Sequence, residues 1–304
     1  MDDQESLLGL TEVEPSPVEE TPVEYSKDGY FPPSSSPSPP PGYSRTSTLG
    51  LGNHGPAYYL TRIQRYSSYT FTAFASLHIV NTSLIPLVTR SVPTSEPYLL
   101  LTRPAYQSAL MEPLLVVLPL FAHVASGIAL RLYRRRIALR RYGAESLSDR
   151  RHIPWPPISG TSKLGYALVP LLGFHMLAAR GLPMYLHGDS ALVNLSYLSH
   201  GFALHPVVSS AGFTALITVG AWHVVWGWAR WLGLAPRHGQ SSGAEQELVK
   251  KQRWYQVNGL AAAVAALWMA GGLGVVGRAG KVAGWVGREY DELYRALPVL
   301  GRFA

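Results

Sequence analysis

Residues 206–232 read PVVSSAGFTALITVGAWHVVWGWARWL, a stretch whose only Asp, Glu, Lys or Arg is Arg230 near its end. A run of about 20 mainly apolar residues is long enough to cross a membrane as a helix. Four further stretches meet the same criterion: Tyr66–Val88, Met111–Tyr133, Leu164–Leu186 and Tyr255–Gly277. Five such stretches in 304 residues argue against the buried helices of a large soluble protein. The sequence therefore predicts an all-α, polytopic membrane bundle of five transmembrane helices over residues 56–277.

The charged residues divide the chain into two parts of opposite sign. Nine of the 19 acidic residues but one of the 26 basic residues precede Ser44, so the first part carries a net charge of −8 and the rest +15. The acidic part is rich in Pro, Ser and Glu and lacks the apolar surface that folding requires. We predict a disordered cytosolic tail over residues 1–55, and we expect neither a transit peptide nor a cleavable secretory signal.

The basic residues predict the orientation of the bundle, because cytosolic loops of membrane proteins carry an excess of Lys and Arg. The connections after the second and fourth spans are rich in both, whereas the opposite loops hold only Arg90, Arg103 and Arg180. We expect the tail and both basic connections to face the cytosol. The last segment, residues 278–304, alternates basic with aromatic residues and is predicted to be an interfacial amphipathic helix, with a short soluble helix as the alternative.

Four of the ten histidines lie inside the apolar spans, one in each of the first four: His78, His123, His175 and His223. An ionisable residue at membrane depth is costly and usually marks function, although any single one could serve as a hydrogen bond between helices. At about 1.5 Å per residue, His123 and His223 lie roughly 12 and 11 Å from the arginines that end their spans. Counted from the same side, His78 and His175 lie roughly 20 and 18 Å deep. Two layers are therefore predicted, His123 with His223 and His78 with His175.

The sequence around the histidines repeats. His123-Val-Ala-Ser-Gly127-Ile-Ala-Leu-Arg131 matches His223-Val-Val-Trp-Gly227-Trp-Ala-Arg230, with the arginine one place earlier. Two imidazoles from different helices can ligate a haem iron from both faces. A glycine one helical turn further on leaves room for a flat ring, and the arginine can reach a propionate. We predict one or two bis-histidine b-type haems. The alternative is that the glycines serve helix packing and the arginines anchor the helix ends.

The chain has no cysteine, which excludes disulfides, iron–sulfur clusters and covalently attached haem. The histidines on successive helices resemble those of the membrane anchors of succinate dehydrogenase and fumarate reductase. His78 is followed by Ile79 rather than the arginine usual in those anchors, which argues against a quinone site. More narrowly, the five spans, the histidine–glycine–arginine repeat and the acidic tail resemble the fungal mitochondrial outer-membrane adapters known as Mdm-complementing proteins.

The resemblance implies that the tail recruits a bridge-like lipid-transfer protein of the vacuolar-sorting type through a Pro-x-Pro motif. The stretch LLGLTEVEPSP at residues 7–17 fits such a motif, with Leu10 and Val13 upstream of Pro15 and Pro17. A proline pair pre-sets an extended backbone, and the apolar side chains can fill pockets while the strand pairs with a sheet edge. A coincidence of composition is the alternative. The second pair, residues 37 and 39, lacks apolar neighbours and is expected to be linker.

The resemblance also implies phospholipid scrambling. Polar residues inside the spans could line a groove for headgroups, although they also suit helix packing; they are Asn81, Thr82, Ser83 and Ser126. The leading interpretation is a non-enzymatic adapter of the mitochondrial outer membrane that supports lipid transfer. Its expected partners are the lipid-transfer protein and the phospholipid bilayer, without nucleic acid.

The alternative interpretation is a b-type cytochrome that transfers electrons. A transporter is disfavoured because the spans hold no carboxylate that could couple an ion. The three candidates, Glu96, Glu112 and Asp189, lie in loops or at helix ends.

Overall fold

The computed structural model describes residues 54–236 and 244–298, and this part of the chain forms helices and no strands. In chain order they are α1 (Pro56–Thr89), α2 (Val92–Gln107), α3 (Pro113–Arg141), α4 (Leu147–His152), α5 (Gly160–His187), α6 (Leu195–Leu204), α7 (Pro206–Trp231), α8 (Ala244–Gly272) and α9 (Gly284–Ala296). Helices α1, α3, α5, α7 and α8 are long and apolar enough to cross a membrane. The prediction of an all-α, polytopic membrane bundle with five spans is confirmed. Nearly all of the predicted tail lies outside the described residues.

The alternation of spans and connections assigns the short helices to the two ends of the bundle. Helices α1, α5 and α8 run in one direction, and α3 and α7 run in the other. The arginine-rich end of α3 and the short helix α4 lie at one end, which we call the basic side. Helices α2, α6 and α9 lie at the other end, which we call the cap side.

The helix ends follow from local sequence. Ser91, Ser159 and Asn194 precede α2, α5 and α6, and each side-chain oxygen accepts a hydrogen bond from a backbone N–H of the first turn. Pro56 and Pro206 begin α1 and α7, where a missing N–H costs nothing.

Three of the spans contain a π-helical turn next to a proline. The turns are Val80–Leu84 in α1, Pro113–Val117 in α3 and Leu177–Gly181 in α5. A proline two residues after each turn lacks an N–H and crowds the preceding carbonyls, and a wider turn relieves this crowding. The first and third turns begin two residues after His78 and His175, so the backbone geometry that follows these two histidines repeats.

The spans pack as two antiparallel pairs with a fifth helix against them. Helix α1 packs on α3, and α5 packs on α7, while α8 contacts α7 and the π turn of α1. A Cβ on Gly271 would lie 1.9 Å from the carbonyl oxygen of Ser83, so only glycine permits this approach. The Ser83 hydroxyl donates across the contact to the carbonyl oxygen of Trp268 at 2.7 Å. These contacts fix the cap-side end of α1 against α8.

Much of the buried apolar surface lies in the cap rather than in the spans. Tyr290, Leu293 and Tyr294 of α9 pack on Tyr197 of α6 and form one buried cluster. Burial raises the pKa of Tyr197 to about 12 and that of Tyr294 well above its usual value. The predicted C-terminal amphipathic helix is therefore present as α9, and its apolar face packs on protein. Its position at a membrane interface stays a prediction.

Candidate functional site

The four intramembrane histidines meet in two pairs. The ring centroids of His78 and His175 lie 5.9 Å apart, and those of His123 and His223 lie 6.0 Å apart. The structure thus brings together the same two pairs of histidines that their estimated depths in the membrane predicted. The first pair joins α1 to α5 and the second joins α3 to α7, so both pairs lie between the two antiparallel helix pairs. We call the first the cap-side pair and the second the basic-side pair.

The rings of the basic-side pair are held in one tautomer. The Nδ1 atom of His123 lies 3.0 Å from the carbonyl oxygen of Gln64, and that of His223 lies 3.0 Å from the carbonyl oxygen of Thr161. Because a carbonyl oxygen can only accept, each Nδ1 carries the proton and donates it. Each Nε2 therefore keeps its lone pair, which is how a metal-ligating histidine is commonly oriented.

The two carbonyl groups occupy equivalent positions in the repeat. Gln64 precedes His78 by 14 residues, and Thr161 precedes His175 by 14 residues. These two residues were not predicted from the sequence, because a role of the backbone carbonyl leaves no signature in the side chain. Once one of these carbonyls is known, the equal spacing of 14 residues before His78 and before His175 predicts the other.

The cap-side pair lies among aromatic rings. Phe74 stacks on His78 with ring centroids 5.6 Å apart, and Phe213 meets His175 edge-on at 5.8 Å. Neither imidazole has a hydrogen-bond partner within the described part of the chain. The two pairs therefore differ in their surroundings: backbone carbonyls orient one, and apolar rings enclose the other.

The glycines predicted to leave space beside the histidines differ from one another. A Cβ on Gly127 would lie 2.8 Å from the side-chain nitrogen of Gln64, so an amide fills that space. Gly227 has nothing within 4 Å of its Cβ position and leaves open space. A third glycine was missed: a Cβ on Gly165 would lie 2.8 Å from the His223 ring. Gly165 follows Thr161 by one helical turn, and that spacing is a signal for it.

The predicted propionate arginines both contact the connection before α5. Arg131 donates to the carbonyl oxygen of Pro156 at 3.1 Å and lies over the ring of Trp155. Arg230 donates to the hydroxyl of Ser159 at 3.1 Å. Each guanidinium has five N–H donors, so these bonds leave others available. Their role as propionate partners stays a prediction.

The donor set of each pair suits a haem better than a bare metal ion. No group of three or more His, Asp or Glu residues that could hold a metal occurs within residues 54–236 and 244–298. Two imidazoles alone leave a metal ion under-coordinated, whereas a porphyrin supplies four nitrogens and needs only two axial ligands. Each pair would supply one imidazole to either face of such a group, and the ring centroids lie 5.9 and 6.0 Å apart. The residues present therefore fit the group.

Five spans, two parallel repeats and paired intramembrane histidines define the class of the protein, a polytopic helical membrane protein. Residues 170–281 match the family model described as MDM10-complementing protein 1, transmembrane domain. The match runs from within α5 to the segment before α9, and over these residues the chain is similar to the transmembrane domain of that family. The predicted resemblance to the Mdm-complementing proteins is confirmed over these residues. The comparison with dehydrogenase anchors stays a resemblance.

No curated protein and no solved structure matches the chain. The motif residues Leu10, Val13, Pro15 and Pro17 lie outside the described residues, so their role as a partner site stays a prediction.

Proposed function

We propose that the protein is a non-enzymatic adapter of the mitochondrial outer membrane that recruits a bridge-like lipid-transfer protein of the vacuolar-sorting type. The observation that carries the proposal is the family match over residues 170–281, taken with the Pro-x-Pro motif at residues 15–17. In this proposal the bundle anchors the chain, and the tail, facing the cytosol, presents Leu10 and Val13 upstream of the proline pair. An extended strand of this kind adds to a sheet edge of its partner.

Co-purification of the full-length protein with the lipid-transfer protein tests this adapter function. We expect the double substitution Pro15→Ala and Pro17→Ala to abolish co-purification. The matched control is Pro37→Ala with Pro39→Ala, which removes a proline pair without apolar neighbours and should leave capture unchanged. Equal capture by wild type and the first variant would refute the motif. Loss in both variants would instead assign the interaction to the whole proline-rich tail.

We also propose that the membrane domain supports redistribution of the delivered phospholipid between leaflets. The polar residues of the spans give this proposal little specific support, since their hydroxyl and amide donors bond to helix carbonyls. The Oδ1 atom of Asn81, which is buried and has no partner, is the one acceptor left over among them. Reconstitution in liposomes with a leaflet-selective bleaching agent tests scrambling: dye loss should pass one half, and a plateau at one half contradicts it.

The second candidate function is that of a b-type cytochrome, and the two histidine pairs favour it. Bound haem would carry electrons across part of the bilayer. For this function, the Gln64 and Thr161 carbonyls orient the basic-side rings, and Phe74 and Phe213 keep water from the cap-side rings.

A pyridine-haemochrome spectrum of the purified protein tests haem binding. We expect His123→Ala with His223→Ala to remove the haem of the basic-side pair and leave that of the cap-side pair. The matched control is His152→Ala, which removes an exposed histidine of α4. A protein without a Soret band would end this candidate, and it would leave the adapter function untouched.

A further inference from the structure

A cleft on the cap side carries two arginines that have no partner in the protein. It lies between the end of α1 and the segment that follows α8, and Leu87, Val92 and Val275 form much of its apolar wall. Arg90 and Arg278 also line it, both exposed. Neither guanidinium has a hydrogen-bond or carboxylate partner among the described residues. The lining holds two positive charges and no negative one.

Two other arginines near this end of the spans, Arg103 and Arg180, have partners. Arg103 donates to the carbonyl oxygens of Ser190 and Val193, and Arg180 pairs with Glu112. Acceptors are therefore available on the cap side, yet the two arginines of the cleft use none of them. Two unpaired guanidinium groups facing one apolar cleft are suited to an anion that has an apolar part.

The backbone holds both arginines in fixed positions. Ser83 and Gly271 bring α1 and α8 into backbone contact, seven residues before each arginine. Arg90 directly follows α1 and has φ +53°, a left-handed conformation that costs a residue other than glycine about 1–2 kcal/mol. It is the one residue other than glycine with positive φ in the described ranges. An arginine therefore occupies a position at the end of α1 where glycine would be more stable.

We propose that this cleft binds an anionic phospholipid, with the phosphate between Arg90 and Arg278 and an acyl chain along Leu87 and Val275. The cleft lies where two membrane spans end, which is the depth of lipid headgroups. A zwitterionic headgroup would place its ammonium beside two guanidinium groups with no carboxylate to pair with. The proposal requires only that the five spans lie in a membrane, so it stands or fails separately from the tail motif.

The test is native mass spectrometry of the full-length protein in detergent, titrated with dioleoyl phosphatidylglycerol. We expect Arg90→Gly and Arg278→Gln each to weaken binding about tenfold or more, because each removes a charge-assisted hydrogen bond. The control is Arg288→Gln with Arg295→Gln, which removes two exposed charges from α9 on the same side and should bind as the wild type does. Equal binding by all four proteins would overturn the proposal.

Two further measurements are needed. The first shows whether a variant has lost lipid binding or has lost its fold, and the second shows whether the ligand is a lipid or a soluble anion. Glycine relieves the left-handed conformation at position 90, so Arg90→Gly should unfold at or above the wild-type temperature while losing the lipid. Dioleoyl phosphatidylcholine should bind much more weakly than phosphatidylglycerol. Comparable binding of the two lipids would contradict a site selective for anionic lipid. Displacement of phosphatidylglycerol by millimolar inorganic phosphate would overturn the lipid assignment in favour of a soluble anion.

Discussion

The first repeat, α1 with α3, and the second repeat, α5 with α7, share their local geometry and differ in what supports them. In both, a π turn follows the histidine of the first helix, and a fully buried proline follows that turn, Pro86 in one and Pro183 in the other. In both, a carbonyl fourteen residues before that histidine holds the ring of the next one. The positions of the four rings are therefore set by elements that recur.

The supports diverge at the position five residues after the histidine. In the first repeat this residue is Ser83, which packs on the backbone of α8. In the second it is Arg180, which forms a forked ion pair with Glu112 and a further hydrogen bond to Ser190. One end is held by close helix packing and the other by polar contacts in the cap. The same local pattern is thus compatible with two unlike tertiary supports.

The largest expected effect comes from removing the support of the first repeat with Gly271→Ala. The added Cβ would lie 1.9 Å from the Ser83 carbonyl oxygen, and a backbone atom cannot rotate away. We expect a loss of about 3 kcal/mol or more in the free energy of unfolding, measured by thermal or denaturant unfolding in detergent.

The matched control lies on the same helix. Gly259 has nothing within 4 Å of its Cβ position, so Gly259→Ala should leave stability unchanged or raise it by about 0.5–1 kcal/mol. If Gly271→Ala and Gly259→Ala had the same effect, α8 would not be the support of the first repeat.

The second repeat should respond to loss of its ion pair. Glu112→Ala leaves the Arg180 guanidinium without its carboxylate partner. Because the Arg180 side chain is 28% exposed, we expect the free energy of unfolding to fall by about 2 kcal/mol, less than the 3–5 kcal/mol lost when a fully buried pair is broken. Replacing both partners, Glu112→Ala with Arg180→Met, should cost less than Glu112→Ala alone, because no charge is then left unpaired. The measurement is again thermal unfolding, with Glu145→Ala, an exposed carboxylate of the basic side, as the control. A double variant less stable than the single one would contradict a pair held by charge.

The spans and the two histidine layers were predictable from sequence, because they follow from fixed helix geometry, whereas the π turns and the carbonyl groups that hold the rings were not. A rise of about 1.5 Å per residue and a length of about 20 apolar residues are enough to find the spans and to sort the histidines into layers. His78 could be paired with His175 without knowing any contact. The rings also meet across different helices, as the depth count required.

The supports were not predictable in the same way, because they depend on contacts between distant residues. Helix α2 contains Pro97 and Pro104, which lower helix propensity, so a helix was not expected there. The cap buries it against α6 all the same, through Leu99 and Leu195. The approach of Gly271 to Ser83 joins residues 188 positions apart, and a glycine in a membrane span carries no indication of its partner.

The smallest expected effect is the pH dependence of the cap that supports the second repeat. His200 of α6 is fully buried, and its Nδ1 accepts a hydrogen bond from the backbone N–H of Val282. Its Nε2 therefore carries the proton and donates to Asp291 of α9 at 2.9 Å. This hydrogen bond, with a smaller contribution from Lys281, holds the pKa of Asp291 below its usual value. The attachment of α9 to α6 is thereby linked to the charge of one carboxylate.

The sign of the pH dependence follows from that depressed pKa. The unfolded value for an aspartate is about 3.9, so the stabilisation is complete above about pH 4 and is lost as pH falls through the lower folded value. We expect hydrogen exchange in α9 to speed up in this acid window in the wild type, by the several-fold that about 1 kcal/mol produces. In Asp291→Asn, the backbone amides of α9 should exchange faster than in the wild type at neutral pH, and most of the further increase at acid pH should be absent. Asp149→Asn is the matched control, because the pKa of Asp149 is also lowered, by hydrogen bonds from Ser146, but on α4 at the basic side. If the two variants changed α9 equally, the cap would not depend on this carboxylate.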